Sequence, residues 1–164
     1  MRTSENAGGI GLQARIGAWL FVLWSVLHVW VAAEGIRQYL TAGTTGLWKM
    51  VIGGHVVSRG AFVHATDPVT LFAHGQLILN FCLDVGGYGV LGFFVAWMIL
   101  RRASWTGYLI GVVVIGVADL AFLFCLVVPG VIELNAGSIA GPLIWIAAVV
   151  VTPFGLPRRG SQVE

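Results

Sequence analysis

The stretch "LFAHGQLILNFCLDVGGYGVLGFFVAWMIL", residues 71–100, decides how this chain folds. It is longer and more apolar than the run of about 20 residues that a helix needs to cross a bilayer. Yet it carries Gln76, Asn80 and Asp84, followed by glycines on either side of Tyr88. An α-helix resolves the conflict. Residues at i, i+4 and i+8 share one stripe, so Asn80, Asp84 and Tyr88 stack on a single face and Gln76 extends it. The remaining apolar faces are then free to meet lipid and neighbouring helices.

Composition outside this stretch points the same way. The chain has 164 residues, of which 58% are hydrophobic and 10% charged. A soluble domain carries about 25% charged residues. The expectation is one integral membrane domain over residues 1–164, an all-α bundle of four transmembrane helices. The apolar runs place them at about 14–39, 69–100, 105–128 and 141–156. The second helix starts at "TDPV", with Asp67 as N-cap and Pro68 in the first helical position. At about 1.5 Å per residue it would be about 48 Å long, so it must tilt, bend or project from the bilayer. Pro129 and Gly130 stop the third helix. Pro142 opens the fourth, a short helix that Pro153 kinks. The first apolar run is longer than the core of a signal peptide and contains three tryptophans and a histidine, which reads as a retained helix.

Lys and Arg in the connections set the orientation. Arg2, Arg15, Arg101, Arg102, Arg158 and Arg159 fall on one side; Arg37, Lys49 and Arg59 fall on the other. Both termini are therefore expected in the cytoplasm, in a membrane of the bacterial inner (plasma) type. Trp97 and Trp105 flank the double arginine as interfacial anchors. The outer connection, residues 40–67, has two β-prone runs, "WKMVI" and "HVVSR", around Gly53 and Gly54. That pattern predicts a short β-hairpin.

Several functions are disfavoured. A net charge of +2 is too small to argue for nucleic acid. Cys82 and Cys125 lie in apolar runs without a CxxC or a metal-ligand spacing, and read as buried apolar groups. His55, His64 and His74 gather on the outer side at spacings that match no compact metal motif. His28 and His74 differ in depth by about 20 Å and cannot clamp one haem. No cofactor motif emerges, and no stretch identifies a family. The expected partners are the lipid bilayer and a second copy or a larger membrane complex, for which the glycine-rich faces around Tyr88 and at Gly107 and Gly111 are suited.

The candidate site lies at mid-bilayer, where an ionisable residue points to function. Asp84 is 17 residues before Arg101 and Asp119 is 15 residues after Ser104. On antiparallel helices the two differ in depth by about 3 Å. Facing carboxylates at one level would not both ionise, so the pair is expected to share a proton or hold a cation. His28, on the first helix with Trp24, reaches the same layer. The expected ligand-binding or proton-relay residues are Asp84, Asp119, His28, Asn80, Tyr88, Gln76 and Trp24. Asn80 and Gln76 also suit plain interhelical hydrogen bonding. Glu34 pairs with Arg37 or faces an outer vestibule with Glu133 and Asn135. Three functions follow: a binding or transport protein for a small ligand or cation with proton coupling; a non-catalytic accessory or assembly subunit; and a membrane enzyme whose Asp is a general acid for a lipophilic substrate. No catalytic residue is assigned.

Overall fold

The computed structural model describes residues 9–157; the expectations for Arg2, Arg158 and Arg159 lie outside them. It is all-helical, with four helices long and apolar enough to cross a membrane: Leu12–Val51, Pro68–Arg102, Trp105–Val127 and Ala136–Gly155. They are referred to below as the first to fourth helices. Such a set is compatible with a polytopic membrane protein.

Many large side chains point outward. Trp19, Trp30, Phe94 and Phe124 are all more than 60% exposed. Small ones face inward, with Ala14, Ala18 and Ala148 fully buried. This is the packing expected where association depends on close backbone approach and not on expulsion of apolar groups from water. The glycines of the second helix show it. A Cβ on Gly89 would lie 3.0 Å from the Ser25 carbonyl, and one on Gly92 would lie 3.1 Å from the Trp24 ring. Gly86 meets Ala32, but Gly87 faces open space.

The first helix contacts the second along much of its length and also the fourth; the fourth in turn meets the third. The second and third pack closely only along residues 105–115, beside their connecting turn. Ala103 makes this turn in the left-handed conformation (φ 45°), and Ser104 caps the third helix by accepting from the Gly107 amide. Arg102 lies over the Trp97 ring at 4.8 Å, and Trp105 donates to the Pro157 carbonyl at 2.7 Å. At the end away from this turn Asp67 caps the second helix, accepting from the Thr70 amide at 2.8 Å. That bond favours the ionised carboxylate and lowers its pKa.

Three expectations are corrected. The outer connection is shorter than residues 40–67, because the first helix bends at Gly43 (φ 61°, ψ −154°) and continues to Val51. Leu47 beyond the bend is buried against Ile78 and Cys82. The hairpin is absent: there is no strand among the described residues. The amides of Gly53 and Gly54 donate to the Val131 carbonyl, and those of Val56 and Val57 to Gly130. Residues 53–57 thus bond to the turn that follows the third helix and not to a hairpin partner. The fourth helix starts at Ala136, not at residue 141. Asn135 and Ser138 form a capping box there, and Pro142 lies inside the helix.

Candidate functional site

Two short π-helical stretches, Gly111–Ile115 and Leu123–Val127, bracket the turn that carries Asp119. Such stretches are over-represented at functional sites and re-aim the side chains between them. The Gly111 carbonyl, in the first of them, accepts from Trp145 Nε1 at 2.9 Å. Asp119 is directed into the bundle and is 3% exposed.

Two residues of the first helix receive it. Trp24 Nε1 donates to Asp119 Oδ2 at 2.8 Å. His28 Nε2 lies 3.5 Å from Asp119 Oδ1. Trp24 and His28 are one turn apart, and their rings stack with centroids 3.6 Å apart. His28 Nδ1 is 2.8 Å from the Trp24 carbonyl. A carbonyl can only accept, so Nδ1 carries a hydrogen. Nε2 is thus the ring nitrogen turned toward Asp119. Gly141 of the fourth helix closes one side: a Cβ there would lie 3.0 Å from His28 Cε1.

His28 and Asp119 line a cavity of about 540 Å³, and so do Asp84 and Tyr88. Its walls are otherwise mainly apolar, with Phe81, Phe122 and Trp30 among them. Gly137, Ser138, Gly141 and Pro142 bring the fourth helix into the lining. Pro142 has no N–H, so the Ser138 carbonyl lacks its helical donor. An outer chamber of about 220 Å³ shares Trp30, Phe81, Phe122 and Ser138 with the cavity. It is lined further by Glu34, Arg59, Glu133 and Asn135. Arg59 pairs with Glu133 at 3.5 Å, and Glu34 binds Arg37 through two contacts of 2.6 and 2.7 Å.

The seven expected site residues divide into three groups. Asp84, Asp119, His28 and Tyr88 converge on one cavity. Trp24 and Asn80 each hold a carboxylate: Asn80 Nδ2 donates to Asp84 Oδ2 at 2.9 Å. Gln76 lies away from the cavity lining and donates to the Tyr39 hydroxyl at 3.1 Å, which is an interhelical bond. The expectation of two carboxylates paired directly with each other gives way to two separate arrangements. Asp119 is buried against His28 and Trp24, whereas Asp84 is exposed at the cavity lip. Of the other histidines, His55 packs on Gly130, whereas His64 and His74 end one chain of ring contacts that runs through Phe62 and Trp48. No group of three or more potential metal ligands occurs among the described residues.

Sequence reasoning missed the fourth helix as a wall of the site. Its signal was the "GPL" triplet at residues 141–143, read as a helix start. Comparison with protein-family models, with curated proteins and with solved structures found no match.

Proposed function

We propose that this is a polytopic membrane protein, with both termini cytoplasmic, that binds or transports a small ligand by using the cavity between its helices. The His28–Asp119 pair is its proton-exchanging element. The observation that carries this reading is the contact of part-buried His28 with buried Asp119 in the wall of a cavity large enough for a small molecule. A hydrogen-bonding group arriving beside Nε2 or Oδ1 competes for this contact. Proton exchange with solvent on binding is the consequence. The apolar walls of such a pocket supply affinity, and the few polar groups supply orientation.

The test uses purified monomer in lipid nanodiscs. It is titrated with neutral, cationic and anionic phenylalkyl probes in two buffers of different ionisation enthalpy. Binding with buffer-dependent heat that disappears in Asp119→Asn supports the reading. Absence of binding by every probe sinks it.

A second reading, an accessory or assembly subunit, draws on a different observation. The Asn80–Asp84 pair is exposed on the second helix, and Gly87 beside it has nothing within contact distance. A partner helix could bond to this strip. Stoichiometric co-purification of another membrane chain, lost in Asp84→Ala, would favour this second role.

A further inference from the structure

The ligand-binding reading leaves the chemical class of the ligand open, and the charges of the cavity narrow it. Asp119 already has two partners across the bundle, the Trp24 N–H and the His28 ring. Asp84 is different. It is exposed at the cavity lip, the bond it accepts comes from the neutral Asn80 amide, and no described ion pair includes it. When Asp84 is ionised, its charge stands inside an apolar belt without a described ion-pair partner.

A carboxylate at the centre of a membrane helix is costly. A cation bound beside it offsets that cost. The walls fit the same guest. Trp30, Phe81, Phe122 and Tyr88 line the cavity, and aromatic faces attract cations as well as apolar bodies. Access is available from the side, since the second and third helices separate beyond their shared turn. Asp84 and Asp119 lie on those two helices.

We propose, building on the ligand-binding reading above, that the cavity takes an amphiphilic monocation. Its charged head sits at Asp84, and its apolar body lies among the aromatic side chains toward His28 and Asp119. The guest reaches the cavity from the bilayer, between the second and third helices. A second cation would have no unpaired carboxylate to meet, so a divalent metal ion or a dication is not favoured.

The test uses the full chain in phosphatidylcholine nanodiscs, with empty discs as the partition control. Three probes share one body: phenylbutyl-trimethylammonium, its neutral isostere bearing a tert-butyl group in place of the ammonium, and the matching sulfonate. Tryptophan fluorescence reports binding. The expected result is a cation at least about tenfold tighter than its isostere, with the sulfonate weakest. Asp84→Asn brings the cation to the affinity of the isostere and leaves the isostere unchanged, which also shows that the variant is folded. Equal affinity of cation and isostere for the wild-type chain overturns the monocation proposal while the cavity remains a ligand site. A preference that survives in Asp84→Asn also overturns it. Failure of all three probes removes the ligand-binding reading and this proposal together.

Discussion

The two halves of the bundle are built differently. Toward the turn at residues 101–104, Phe21, Trp24, Val95, Ile99 and Ile115 form a closed core, and all are fully buried. Toward the outer end, the second and third helices part, and the space between them is cavity. Helix propensity does not distinguish the halves, because every segment is helical and apolar. What differs is the residue at each contact. Glycines bring the first and second helices together in both halves, at Gly92 in one and at Gly35 and Gly75 in the other, but a carboxylate, a histidine and aromatic rings stand at an opening in the second alone. Trp24 joins the two, since it is buried in the closed core and donates to Asp119 at the site.

The sharpest way to break this contrast is to enlarge a glycine on each side of it. In the closed half a Cβ at Gly92 would come within 2.3 Å of Ser25 Oγ, itself buried and bonded to the Phe21 carbonyl. Gly92→Val is expected to cost at least about 1–3 kcal/mol, the usual range for overpacking, or to prevent folding. Gly87 faces open space, and Gly87→Val should change stability by no more than about 0.5 kcal/mol. Denaturant unfolding in detergent measures both. Similar losses at the two sites would mean that the second helix is not packed on one face alone.

The carboxylates give the next largest effect. Asp119→Ala leaves the buried Trp24 N–H without its acceptor, which costs about 1–3 kcal/mol. Asp119→Asn keeps an acceptor for Trp24 and should lose less. Asp84→Ala removes an exposed group whose described bond is to Asn80 on the same helix, so no loss of stability is expected. A destabilised Asp84→Ala monomer would show that the cavity lip supports the fold as well as the site.

A smaller effect tests how tightly the site is closed. A Cβ at Gly141 would lie 3.0 Å from His28 Cε1, which forces the ring to shift by a few tenths of an ångström. Gly141→Ala should therefore lower stability only slightly but move the His28 ring resonances and weaken buffer-dependent binding heat several-fold. Unchanged His28 signals would place the fourth helix farther from the pair than this contact requires.

Much of this was legible in sequence because helical periodicity and membrane thickness act locally. The stripe from Asn80 to Tyr88 needs only the 3.6-residue repeat. The shared layer of Asp84, Asp119 and His28 needs only the rise per residue and a short turn. The number of helices follows from apolar run lengths. What stayed hidden depends on long-range contacts. Gly53 and Gly54 look like a hairpin turn until the Val131 carbonyl offers their amides a partner from elsewhere. Pro142 reads as a helix start until the Asn135–Ser138 capping box places the start earlier. Asp119 meets Trp24 across 95 positions of sequence and lies beside His28, contacts that no local pattern announces.

The outer half also offers the smallest and most specific test, at the point where the second helix begins. Asp67 accepts from the Thr70 amide, and that bond holds its folded pKa below the ordinary value of 3.8. A carboxyl with a depressed folded pKa stabilises the fold fully above its unfolded pKa. The contribution fades as pH falls through the folded value. Between pH 7 and 5 the cap should therefore be constant, and below about pH 4 it should weaken. Asp67→Asn keeps a capping oxygen that cannot titrate. Amide exchange at Thr70 should accelerate on acidification in the wild-type chain and stay flatter in Asp67→Asn. Because the closed half is capped at Ser104 by a hydroxyl, the Gly107 amide should show no such acid response. An equal response at the two caps would assign the acid effect to the bundle as a whole and not to its outer end.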